Sequence, residues 1–147
     1  MIPSQPGKNQ MSRFTVSFFV ANYTDIVAAH RGHLDPRKVR RLTISGVVGS
    51  GASRLVLPNG VVEQLGLQVS EYVKVKYADG RTAKRPVVQG VHVELQGRSS
   101  IFKATVEPKR DTALIGAIVL EDLDFLVDCE NHRVVPRDPK FIVSEAE

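Results

Sequence analysis

Between Arg40 and Val48 apolar and polar residues alternate, with Leu42, Ile44 and Val48 on one face and Arg41, Thr43 and Ser45 on the other. That is the period of a half-buried strand. The strand runs into a glycine-rich turn, Val47-Val48-Gly49-Ser50-Gly51-Ala52-Ser53, and the apolar run Leu55-Val56-Leu57 follows it. Gly49 and Gly51 reach backbone angles that a Cβ disfavours, so the chain can reverse sharply and bring its amides close to another chain or a ligand. A turn of this kind, held at the end of a strand, presents its residues to a partner.

The remaining chain reads as short strands with little helix. Phe14–Val20 is rich in aromatic and β-branched residues and reads as a first strand. Asn22 to Arg41 departs from strand pattern, and its expected form is a solvated loop broken at Pro36. Pro58 to Leu65 suits a short helix, with Pro58 at its first position, Gly66 just past its end, and Val61, Val62 and Leu65 toward the core. Val73, Val75 and Tyr77 alternate with Lys74 and Lys76 up to Asp79-Gly80, which predicts a hairpin with a tight two-residue turn. Pro86–Val93 and Ser100–Val106 continue as strands joined around Gln96-Gly97-Arg98. Phe125–Val127 and Arg133–Val135 read as a last pair around Glu130-Asn131.

From Gly49 to Ser53 the chain resembles the active-site turn of the retropepsin-like (clan AA) aspartic proteases, which reads apolar-Asp-Thr/Ser-Gly-Ala-Ser/Thr. Ser50, Gly51, Ala52 and Ser53 match position by position, whereas Gly49 stands where the family carries its catalytic aspartate. Downstream, Ala113-Leu114-Ile115-Gly116 is similar to the family's apolar-apolar-Gly motif, in which a strand passes beside the active-site turn and a short helix follows. Val119–Leu123 suits that helix, and Val73–Arg81 resembles the flap hairpin that closes over a bound peptide. The order of these parts is the family's order and spans roughly Phe14 to Pro136.

The resemblance implies an all-β fold, a mainly antiparallel closed barrel of acid-protease type with one or two short helices. It would occupy a single domain at 12–138, between a disordered lead at 1–11 and a tail at 139–147. It also implies peptide hydrolysis by two carboxylates that share a proton. One copy of the turn supplies at most one acid, so such a site would lie on the two-fold axis of a homodimer. Glycine can neither draw a proton from water nor polarise a carbonyl, and the axis copies the loss. Each general acid–base contribution is worth roughly 10²–10⁴-fold, so the expectation is a catalytically inactive variant or pseudoenzyme that keeps a peptide-binding cleft. Ser50 would hold the paired turns together. Ala52, Ser53, Ala78, Asp79 and Gly80 would line the substrate, and Leu114, Ile115 and Gly116 would support the turn. No cofactor and no metal are expected.

Other readings carry less. Arg31, Arg37, Lys38, Arg40 and Arg41 form a basic segment for nucleic acid or an acidic partner, but no aromatic residues are interleaved with them, so nucleic acid is the lesser alternative. His92 and Glu94 share a strand face, yet no nearby run completes a ligand set. Asp79 is a candidate replacement acid, although Asp-Gly is also what a tight turn needs. Gly49-Ser50-Gly51 is not a nucleophile elbow, and the glycine spacing fails the dinucleotide fingerprint. In 147 residues, 42% apolar and 24% charged, there is material for one core and no apolar run near the roughly 20 residues that span a bilayer. Met1–Gln10 does not read as a signal peptide, and the single cysteine, Cys129, agrees with a reducing compartment. The expected location is the cytoplasm.

Overall fold

Strand pairing in the computed structural model, which describes residues 13–147, closes on itself. The elements are β1 (Phe14–Asn22), α1 (Tyr23–His30), a 3-10 turn (Pro36–Lys38), β2 (Arg41–Val48), β3 (Leu55–Pro58), α2 (Asn59–Leu65) and β4 (Val69–Lys76). They continue with β5 (Thr82–Leu95), β6 (Arg98–Glu107), β7 (Ala113–Leu114), α3 (Ala117–Asp122), β8 (Phe125–Asp128) and β9 (Arg133–Pro136). The order β1-β2-β7-β3-β6-β5 returns to β1 through an antiparallel β5 contact, in which Val20 faces Val93. A mostly β structure with a closed six-strand barrel and three short helices results. β4 and the outer part of β5 lie outside the closed ring, and closure is how such a sheet disposes of its edges.

Strand alternation fills the barrel. In β2, Arg41, Thr43 and Ser45 are exposed, Leu42 and Ile44 are half-buried and Val48 is fully buried. Phe18, Val20, Leu55, Leu57, Val91 and Val93 occupy the same interior. α2 begins at Asn59, one residue later than the sequence suggests, because Pro58 completes β3 and stands as the N-cap. Gly66 ends it in the left-handed region at φ 64°, while Val62 and Leu65 enter the core.

The segment from Asn22 to Arg41 corrects the sequence reading. It is the helix α1 followed by a 3-10 turn, not a loop. Asn22 caps α1, its Oδ1 accepting from the Asp25 N–H at 3.0 Å, and its Nδ2 donates to the Leu65 carbonyl at the end of α2. Asp25, buried, takes two bonds from the Arg40 guanidinium, at 2.8 and 2.9 Å, and one from the Arg40 amide. The Arg40 side chain is the largest cause holding that carboxyl below its ordinary pKa. The charge of this segment thus ties α1 to the entry of β2.

The expected lead at 1–11 lies outside the described residues. At the other end, Arg98 collects the carbonyls of Leu123, Asp124, Asp138 and Phe141, and the Val143 amide donates to Asp124. The chain is therefore pinned as far as Val143, within the stretch read as a tail. Among the described residues no helix is long and apolar enough to cross a membrane.

Candidate functional site

β2 delivers the glycine turn to the side of β7. Gly46 and Val47 pair in parallel with Ala113 and Leu114, and the Ile115 N–H extends the ladder by donating to the Val47 carbonyl at 2.9 Å. The next two free amides belong to the first turn of α3. Ala117 N–H donates to the Ala52 carbonyl and Ile118 N–H to the Ser53 carbonyl, both at 3.0 Å. The N–H groups that a helix start leaves unpaired are thus taken up by the turn. Gly116 makes the approach possible, since a Cβ there would run into the backbone of Arg54.

Within the turn, Gly49 and Gly51 lie at φ 78° and 83°, in the left-handed region that favours glycine. The Ser50 hydroxyl accepts from the Ala52 N–H at 3.2 Å, closing a local turn. Gly49, Gly51 and Ser53 are exposed, with Ser50 and Ala52 half-buried. The structure therefore brings Val47 and Ala52, Ser53 and Arg54, the two flanks of the turn, against Ile115, Gly116, Ala117 and Ile118, with Gly49, Ser50 and Gly51 held between those flanks.

Ala78, Asp79 and Gly80 sit at the exposed tip of the β4–β5 hairpin. Among the described residues no hydrogen bond or ion pair joins them to the turn. The connection is longer than the expected two residues. Gly80 N–H donates to the Tyr77 carbonyl and Tyr77 N–H to the Arg81 carbonyl, so Ala78, Asp79 and Gly80 form a three-residue loop with Gly80 at φ 89°. Asp79 accepts from the Arg81 amide and pairs with Arg81 Nε at 2.8 Å. The Arg81 side chain holds its carboxyl below the ordinary range, which suits a turn former and disfavours an acid that must carry a proton.

The loop end of the hairpin carries a cluster that local sequence does not reveal. Tyr77 Oη donates to Glu107 Oε2 at 2.7 Å, and Arg85 Nε reaches Glu107 Oε1 at 3.1 Å and Tyr77 Oη at 3.0 Å. Burial, then the bond to Glu107, pushes the Tyr77 phenol up. Tyr77 and Glu107 are 30 residues apart, so only the pairing of β5 with β6 brings them together.

His92 and Glu94 lie half-buried on β5, opposite Ala21 and Phe19 of β1. A shallow groove there is also lined by Arg41, Thr43 and Ile26. Among the described residues no group of three or more His, Cys, Asp or Glu is placed to hold a metal ion. In the basic segment Arg37 pairs with Asp35 at 2.8 Å and Arg40 with Asp25, so two of its five cations are engaged within the fold. No protein-family model matches the chain, and no characterised protein matches its sequence.

Proposed function

We propose that this chain is a retropepsin-like aspartic-peptidase fold that has lost its acid, a homodimeric, cytoplasmic, noncatalytic member or inactivated variant keeping a cleft for an extended polypeptide. The observation that carries this reading is the docking of the Gly49–Ser53 turn on the start of α3 through the Ala117 and Ile118 amides. A loop fixed so closely, with Gly49, Gly51 and Ser53 outward, is arranged to be read by something outside the barrel. Two further features support the reading. The β4–β5 hairpin extends beyond the last β5–β6 pairing, as a lid would, and Ile118, Leu126 and Val127 leave apolar surface exposed beside α3 and β8 for a second copy.

The test restores the missing group. Gly49→Asp places a Cβ at φ 78°, a region Asp tolerates better than most residues, so the variant is expected to fold at a cost of about 1 kcal/mol. It should sediment as a dimer and cleave peptides in a pepstatin-sensitive way, whereas the unmodified chain should cleave none. Cleavage by the unmodified chain, or a dimeric Gly49→Asp variant with no activity, would overturn the proposal.

A further inference from the structure

The outer half of the β4–β5 hairpin extends beyond the β5–β6 ladder, because among the described residues β4 pairs only with β5 and β5 does not pair with β6 before Val87, while Tyr77 and Arg85 tie its half-buried face to Glu107. Its two faces differ. Val73, Val75, Ala83 and Arg85 make a half-buried face, whereas Tyr72, Lys74, Lys76, Thr82 and Lys84 are all exposed. Cross-strand register places Tyr72 opposite Pro86, Lys74 opposite Lys84 and Lys76 opposite Thr82, so these six share one face. No carboxylate belongs to it, and among the described residues the three lysines have no ion-pair partner. Two lysines directly opposite one another weaken a hairpin. Protecting a strand edge accounts for a lysine on each strand, but not for setting them face to face.

The aromatic neighbour says what the charge is for. Tyr72 is 57% exposed, and the Lys84 ammonium lies 4.8 Å from its ring centroid. Along β4, Tyr72, Lys74 and Lys76 follow at roughly 7 Å intervals, two residues of strand rise each. A row of cations beside an open ring is the platform on which single strands bind, phosphates on the charges and a base on the ring. An acidic peptide has no need of the ring, and a bilayer surface would call for more apolar side chains than this face offers. The segment at 31–41 lacks this interleaving, which strand alternation supplies here.

We propose that this face of the hairpin binds single-stranded nucleic acid, with Lys74, Lys76 and Lys84 on phosphates and Tyr72 stacked on a base. The probe is a fluorescein-labelled oligothymidylate of about a dozen nucleotides, followed by fluorescence anisotropy across a salt series with the full chain. Binding should weaken with salt at a log–log slope of about −2, as for three phosphate contacts on a single strand. The double variant Lys74→Gln/Lys84→Gln should bind about tenfold or more weakly with a shallower slope. Tyr72→Ala should weaken binding and leave the slope unchanged. Arg37→Gln/Lys38→Gln should bind as the parent does. These side chains are exposed, and circular dichroism checks that each variant is folded. Absence of salt-dependent binding, or binding lost only in the Arg37/Lys38 variant, overturns the proposal. So does an oligoglutamate that competes as well as the oligonucleotide while Tyr72→Ala has no effect, since the occupant would then be an acidic peptide.

Discussion

A methyl group at position 116 would fall into the Arg54 backbone, while one at position 51 would meet nothing within 4 Å. The two glycines are therefore required for different reasons. Gly116 lets the turn lie against the first turn of α3, whereas Gly51 only allows φ 83°. Because Arg54 crowds position 116 with main chain, which cannot swing aside, Gly116→Ala is expected to destabilise the protein by about 3 kcal/mol. Gly51→Ala should cost about 1 kcal/mol for its left-handed angle. Urea unfolding of both variants checks the order, and a larger loss at 51 would mean that the turn is not held by its contact with α3. Gly46 belongs to the same set. A Cβ there would stand 2.7 Å from the Phe18 ring and 2.9 Å from Ile115 Cγ1, so the strand that carries the turn is thinned where Ile115 packs.

At the scale of elements, what could be read beforehand was whatever a local pattern encodes. The alternation in β2, the Pro58 and Gly66 that bracket α2, and the lysine–valine alternation of β4 each state their own structure within a few residues. α1 was missed although its signal is present, since Asn22 followed three residues later by Asp25 is an N-terminal cap and Gly32 lies just beyond. The density of charge after it drew attention to solvent, whereas Arg40 is engaged with a buried Asp25. The extra residue in the hairpin loop was not legible, because Asp-Gly also serves the three-residue turn. Nor was the Tyr77–Arg85–Glu107 cluster, which depends on long-range register. That cluster fastens the loop end of the hairpin to β6. Removing a hydroxyl bonded to charged partners costs about 2 kcal/mol, and because the lost bond lies beside the loop, the effect should be local. Tyr77→Phe is expected to speed amide exchange at Tyr77 and Gly80 while moving global unfolding by no more than that amount. Hydrogen exchange measured by NMR tests this, and unchanged protection of those amides would show that the hairpin does not depend on the cluster.

Across the whole molecule six aspartates share one direction. Asp25, Asp35, Asp79, Asp124, Asp128 and Asp138 are all held below their ordinary pKa. The lowest is Asp128, brought to about 2 by the Asn131 side chain first and Arg133 next. A carboxyl with a depressed pKa is charged in the folded chain while its unfolded counterpart, near 3.9, takes up a proton. Each such group therefore contributes stability that is fully present above the unfolded value and is lost as pH falls through the folded one. The aspartates make stability level above about pH 5 and falling toward about pH 2. Asp79 is exposed and Asp35, Asp128 and Asp138 are half-buried, where solvent screens the pairing, but Asp25 and Asp124 are buried, and Asp25 joins α1 to β2. These two should dominate the fall. Urea midpoints measured from pH 6 to pH 2.5 are expected to decline steeply below about pH 4 in the parent. Asp25→Asn should start lower at neutral pH, because Arg40 loses a charged partner, and then decline less. If both proteins lost stability equally over that range, acid sensitivity would reside in the other aspartates, and the Asp25–Arg40 contact would not be what fastens the helix to the barrel.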